Sequence, residues 1–196
     1  MTTPSIYASL VKPGTDANAS GIRVTVFFVP KSDIATFPKV SLTPATTEDA
    51  VRIAEDFVMK TGKKFLKLHS TQGKGKLDFD QVGEKPDVVF INKGSFSFPD
   101  LSDVAKAVAK AAINDDVIYV VQLLHQTEKR FIVLGNDDYE TITKIKGTSG
   151  DKPGAAKGLD FSVEANDYSP LPTYVGSLVT EDGTLDCETG ILTPTA

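Results

Sequence analysis

The sequence predicts a mainly β protein of the α+β class, an antiparallel β-sandwich or half-barrel with one flanking α-helix. Three observations carry this reading. About eight segments alternate apolar and polar residues with the period of a strand. One stretch alone, residues 101–113, has clear helical spacing. The strands lie before and after it without the strand–helix–strand alternation that builds a parallel sheet.

Residues 1–21 are rich in Thr, Ser, Ala, Pro and Gly and read as an N-terminal arm, with at most a short strand at Ser5 to Val11. A domain is expected over 22–174. It opens on IRVTVFFVP, a strand with Ile22, Val24, Val26 and Phe28 on one face, where Pro30 ends the ladder. A proline-rich connection follows over 30–47, of a length that compact domains usually keep for contact work. TTEDAVRIAEDFVMK fits a helix from a Thr47 cap or a strand from Ile53 to Met59. GKKFLKLHSTQ and KLDFDQV flank Gly73-Lys74-Gly75 as in a hairpin, with Lys67 and His69 opposite Asp78 and Asp80. PDVVFINKGSFSFPD reads as one strand, or as two broken at Gly94.

In LSDVAKAVAKAAI, Leu101, Val104, Ala105, Val108, Ala111 and Ala112 form one apolar stripe. Asp100 or Ser102 caps its start. VIYVVQLL is apolar on both faces, so it needs cover above and below: the helix on one side and a second sheet on the other. It turns through Gln126 to Lys129 into RFIVLG as a hairpin. After YETITKIK, the segment GTSGDKPGAAKG reads as a mobile loop. LDFSVEAN then alternates cleanly, with Leu159, Phe161, Val163 and Ala165 inward and Asp160, Ser162 and Glu164 outward. Residues 175–196 read as an acidic C-terminal arm.

The chain has 196 residues, 40% of them apolar and 24% charged, which suits one globular domain. No apolar run reaches membrane-spanning length, and the N-terminus does not resemble a signal peptide. Cys187 is the single cysteine, which excludes an internal disulfide and a multi-cysteine zinc site and suits a reducing compartment. Residues 1–135 hold 17 Lys and Arg against 15 Asp and Glu, whereas 136–196 hold 4 against 11. That acidic end argues against specific nucleic-acid binding, which needs cations to displace counterions.

Motifs for chemistry are incomplete. Gly73-Lys74-Gly75-Lys76 does not complete a phosphate loop and no helix follows it. Gly147-Thr148-Ser149-Gly150-Asp151 lacks the last glycine of a nucleophile elbow. His69 and His125 are too few for a metal site, and the acid pairs Asp78/Asp80, Asp115-Asp116 and Asp137-Asp138 lie on a strand face or in turns, where carboxylates are normally solvated. Asn18-Ala19-Ser20 matches a glycosylation acceptor by chance. Lys60, Lys63, Lys64, Lys67, Lys74 and Lys76 form a basic run with no acid before Leu77. It reads as a solvated hairpin, or as a patch that meets the acidic last third of a neighbouring copy. No enzyme activity, cofactor or metal site is expected.

The order of IRVTVFFVP, GKKFLKL, a lone mid-chain helix, RFIVLGNDDY, GTSG, GLDFSVEAN and Pro172-Thr173-Tyr174 resembles the tail tube (major tail) proteins of tailed bacteriophages, over about residues 20–176. The resemblance implies a virion structural subunit, made in the bacterial host cytoplasm. Such subunits form a β-sandwich with a flanking helix and assemble into hexameric rings, stacked into a tube. Partners would be further copies of itself and other tail proteins, with DNA passing through an acidic lumen without specific binding and no membrane involved. Contact candidates are Phe37 and Thr43 in the long connection, Lys74 and Gly75 at the expected hairpin tip, and Tyr174 and Asp182 towards the C-terminus. The alternatives are another phage structural protein, such as a capsid decoration or head–tail connector protein, and a monomeric β-sandwich binding module. The absence of tryptophan weakens the last as a sugar binder.

Overall fold

The structure is a computed structural model that describes residue 8 and residues 20–41, 43–125, 128–152 and 154–194. In chain order its strands are β1 (Ile22–Pro30), β2 (Ile34–Thr36), β3 (Arg52–Ile53), β4 (Val58–Met59), β5 (Leu66–His69), β6 (Lys76–Val82) and β7 (Val89–Phe98). Helix α1 (Asp103–Asn114) follows. Then come β8 (Val117–Leu123), β9 (Phe131–Leu134), β10 (Thr141–Thr148), β11 (Gly158–Asp167), β12 (Thr173–Tyr174), β13 (Ser177–Thr180), β14 (Gly183–Asp186) and β15 (Leu192–Pro194). The protein is mainly β, with one α-helix among the described residues.

A six-stranded sheet in the order β3-β12-β9-β8-β1-β5 forms the middle layer. Its central strands β8 and β9 are apolar on both faces because both are covered. Val117, Tyr119 and Val121 of β8, with Val26 of β1 and Leu134 of β9, face a four-stranded sheet in the order β10-β11-β7-β6. Ile118 and Val120 of β8, Phe27 and Val29 of β1 and Val133 of β9 face the other way. There they meet Phe57, Phe65, Tyr174, Leu178, Leu185 and Cys187. The two main sheets approach closely where β7 carries Gly94, since a β-carbon there would lie 2.5 Å from Leu134 Cδ1. Gly94 therefore does not break β7, which runs unbroken for 10 residues.

The β8–β9 hairpin, the alternation of β11 and the cap of α1 agree with the sequence reading. Ser102 Oγ accepts the Ala105 amide at 3.4 Å, and Asp100 accepts the Ser102 amide at 3.1 Å. The region left open between helix and strand becomes a short 3-10 turn at Glu48–Ala50, then β3 and β4.

Four expectations are corrected. First, β5 and β6 do not form a hairpin: β5 pairs with β1 and β6 with β7, so residues 70–75 cross from one sheet to the other. The expected charge match goes with it, since Lys67 pairs with Asp182 and Asp80 with Lys93. Second, residues 175–196 are not an arm as far as they are described. β13, β14 and β15 form an antiparallel three-stranded sheet, tied to the core by Phe65 N–H donating to Val179 O at 2.8 Å. Its inward residues, Leu178, Leu185 and Cys187, supply the apolar burial that its exposed acids hid in composition. Third, the helix lies on the same face as the four-stranded sheet, and the C-terminal sheet covers the other. Fourth, its buried stripe is Ala105, Ala109 and Ala112, which leaves Val104 74% exposed and Ala111 outside. Small side chains face the sheet because they let the helix approach it. The arm expected over 1–21, with its strand and its Asn18-Ala19-Ser20 acceptor, lies outside the described residues apart from Ala8, Ser20 and Gly21.

Candidate assembly surfaces

The four-stranded sheet has β11 and β7 at its centre and β10 and β6 at its borders. β11 pairs with β7 from Leu159↔Phe98 to Asp167↔Phe90, and its inward residues Leu159, Phe161, Val163 and Ala165 are buried. Outside, β10 pairs only with β11 and β6 only with β7 among the described strands. Both border strands are therefore open, over 8 residues in β10 and 7 in β6. Open edges of that length present unpaired N–H and C=O groups to any extended chain. They also carry exposed apolar side chains: Phe79 is 50% exposed, Val82 44% and Ile142 52%. Phe79 stands edge-on to Phe90, with ring centroids 6.1 Å apart.

The solvent face of this sheet is polar and of mixed charge. Lys93 bonds Asp80 at 2.6 Å and Lys76 bonds Asp78 at 2.6 Å, while Lys144 lies 3.5 Å from Glu164. The Asp80 carboxylate holds the exposed Lys93 ammonium above its usual pKa. Each of these pairs is solvated and adds little stability. The face is not the one-signed acidic surface that the charge of residues 136–196 suggested, because its acids are interleaved with lysines.

The individual contact candidates divide. Lys74 and Thr43 are exposed and Asp182 sits in the β13–β14 turn, ion-paired to Lys67. Gly75 is half-buried against Ile22, where a β-carbon would collide. Phe37 is half-buried, edge-on to Phe57 at 6.1 Å and beneath the Lys31 ammonium at 5.8 Å. Tyr174 is corrected: it is fully buried and its hydroxyl accepts Phe57 N–H at 3.2 Å while donating to Ser177 O at 2.8 Å. It locks the C-terminal sheet in place and has no surface to offer a neighbour. The basic run is dispersed as well. Lys63 pairs with Asp33 at 3.0 Å, Lys60 donates to Ser32 O at 2.6 Å, and Lys67 is held by Asp182.

Sequence reading missed Phe79, Val82 and Ile142 as surface groups. Alternation tells which face of its strand each side chain takes, and nothing local marks a strand as a border. The groups considered for chemistry do not converge. Gly147 and Thr148 are the last residues of β10 and Ser149 lies in the loop after it; His69 is exposed on β5; His125 Nδ1 accepts the Glu128 amide at 2.9 Å. Among the described residues no cluster of three or more His, Cys, Asp and Glu is arranged to hold a metal, and no helix is long and apolar enough to cross a membrane.

Two of the buried titratable groups, Asp167 and Cys187, bear on testable chemistry. Asp167 is 7% exposed beside the turn at Asn136, and its carboxylate accepts the Ser169 amide at 3.1 Å. Burial raises its pKa above the ordinary 3.8. A carboxyl raised in the folded state favours folding below 3.8, and that contribution is lost as pH rises through the folded value. Asp167→Asn is therefore expected to melt higher than the parent at neutral pH, with the gain shrinking as the pH falls through the raised folded value and gone by 3.8; thermal melts across pH check this. Cys187 is fully buried, and burial pushes its thiol up. Its reaction with a disulfide reagent is expected to be slower in the folded than in the unfolded protein by about 100-fold or more, read by absorbance.

Comparison of the chain with protein-family models, with curated protein sequences and with solved structures finds no match.

Proposed function

We propose that the protein is a structural subunit that assembles with copies of itself around a hollow axis, as a tail tube subunit of a tailed bacteriophage does. The observation that carries this reading is the four-stranded sheet with two long open borders, β6 and β10, each bearing exposed apolar residues. Two different edges on one subunit make a heterologous contact: β6 of one copy adds to β10 of the next. Such contacts close into a ring when the rotation between copies closes and otherwise run on as a filament. Main-chain bonds supply affinity, and Phe79, Val82 and Ile142 supply apolar area at the seam.

Other features fit a passive subunit. The layer behind the four-stranded sheet is buried on both faces, so the wall of the ring is backed by a stiff core. The sheet's solvent face pairs its lysines with acids, which leaves little net positive charge to retain a phosphate backbone passing along it. Its role in a virion would be to form a channel through which DNA moves without specific contacts, next to other tail proteins.

Negative-stain electron microscopy of the full chain at high concentration tests the reading. Rings with a central hole, or tubes, are the expected result. A protein that stays monomeric by sedimentation at the same concentration would overturn it.

A further inference from the structure

The inward row of β11 runs Leu159, Phe161, Val163, Ala165 and then Asp167. Four apolar side chains are followed, at the same spacing, by a carboxylate on the face that the alternation reserves for the core. Asp167 is 7% exposed. Its hydrogen-bonding neighbours are the Ser169 amide, at 3.1 Å, and the Asn136 side chain. Among the described residues no Lys, Arg or His pairs with it, and the charged group that bears on it is another acid, Asp138. Buried carboxylates are normally paired with a cation. This one has hydrogen bonds and no counter-charge.

Asp167 lines a cavity of about 510 Å³ beside the long connection between β2 and β3. One wall is apolar, formed by Phe37 and Val40 of that connection with Ile53 and Phe57. The other carries Asp137 and Asp138 from the β9–β10 turn, joined by Asp167 and Tyr168 at the end of β11. Lys39 also lines the cavity and lies 3.7 Å from Asp138, so among the described lining residues three carboxylates stand against one ammonium. Lys31, 5.8 Å from the Phe37 ring centroid, is engaged by Asp116 at 3.1 Å and donates to Tyr139 O at 3.2 Å. A mostly apolar cavity with a few polar groups gathered on one side is the usual form of a small-molecule site.

We infer that this cavity binds a small organic cation, an ammonium carried on an aromatic or branched aliphatic body. The ammonium meets the Asp167 carboxylate, and the body lies against Phe37, Ile53 and Phe57. A bare metal ion would satisfy the acids and leave the apolar wall uncovered, whereas a neutral apolar molecule would leave the buried carboxylate without a counter-charge. Aromatic surface on the lining, from Phe37 and the exposed Tyr168, adds attraction for an organic cation. The inference goes beyond the assembly reading and does not depend on it, since Phe79, Val82 and Ile142 are not on the lining.

The test titrates the full chain calorimetrically at neutral pH with phenethylammonium and, as a neutral probe of matched shape, 2-phenylethanol. The parent is expected to bind the ammonium with a dissociation constant of about 1 mM or below, at least tenfold tighter than the alcohol. Asp167→Asn keeps the shape of the side chain and removes its charge. It is expected to melt higher than the parent, as argued above, and to bind the two probes alike. A purely structural role for Asp167 predicts the first result without the second. Phe37→Ala is expected to weaken both probes about fivefold by removing part of the apolar wall. A parent that binds neither probe, or binds both equally, would overturn the inference. So would an Asp167→Asn variant that still prefers the ammonium, or binding that Phe37→Ala leaves unchanged. If Asp167→Asn does not fold, the exposed Asp138→Asn takes its place, and an undiminished preference for the ammonium there would likewise overturn it.

Discussion

Phe65→Ala is expected to lower the free energy of unfolding by about 3–5 kcal/mol, the usual cost of emptying a fully buried aromatic site. Phe65 has no exposed surface and stands edge-on to Phe57, with ring centroids 5.4 Å apart, and Phe57 in turn packs against Tyr174 at 5.2 Å. The same residue's amide donates to Val179 O, and its backbone bridges Thr180. The cavity would therefore open at the joint between the six-stranded sheet and the C-terminal sheet. Loss of packing there should loosen β13–β15 before the rest. Denaturant melts would give the magnitude, and hydrogen exchange at Val179 and Leu185 would report the local effect. A loss below about 1 kcal/mol would mean that the C-terminal sheet is not anchored as described.

The second large effect concerns the seam. Lysines on border strands are a common way of preventing edge-to-edge pairing. The pair Phe79→Lys with Ile142→Lys puts a cation on each of the two borders that the proposed contact brings together. The two lie on opposite faces of the sheet, Phe79 on the face of Asn92 and Ile142 on that of Glu164, so each lysine adds a charge and removes apolar area on its own side of the seam. Assembly is expected to need about 100-fold more protein, equal to about 2.8 kcal/mol per contact. Because both side chains are about half exposed in the single chain, the melting temperature of the monomer should change little. Sedimentation and micrographs read the first quantity, and calorimetry the second. Normal rings from this variant would remove β6 and β10 as the seam; a variant that fails to fold would show in calorimetry, and Phe79→Thr with Ile142→Thr then tests the seam without the charges.

Several contact candidates were legible in sequence only as far as exposure follows from turn chemistry. Lys74 and Asp182 stand in turns and are exposed, but which charges they meet is set by elements distant in the chain. Lys67 illustrates this: local reading placed Asp78 or Asp80 opposite it, whereas the structure brings Asp182 to it across a separation of 115 residues. Tyr174 looked peripheral because it lies close to two prolines and an acidic stretch. It is buried because β12 inserts between β3 and β9, a placement that no local pattern near residue 174 contains.

The sequence alone determined the strand identities of β1, β7, β8, β9 and β11, the position and cap of α1, and the mainly β class. Each depends on side chains a few residues apart, whose spacing decides which face is apolar. Only the tertiary structure decided that β5 and β6 belong to different sheets, that the acidic tail folds as a third sheet, and which face of α1 is buried. Those outcomes turn on contacts between segments far apart in the chain, where several pairings satisfy the same local pattern and the one that best fills the shared core prevails.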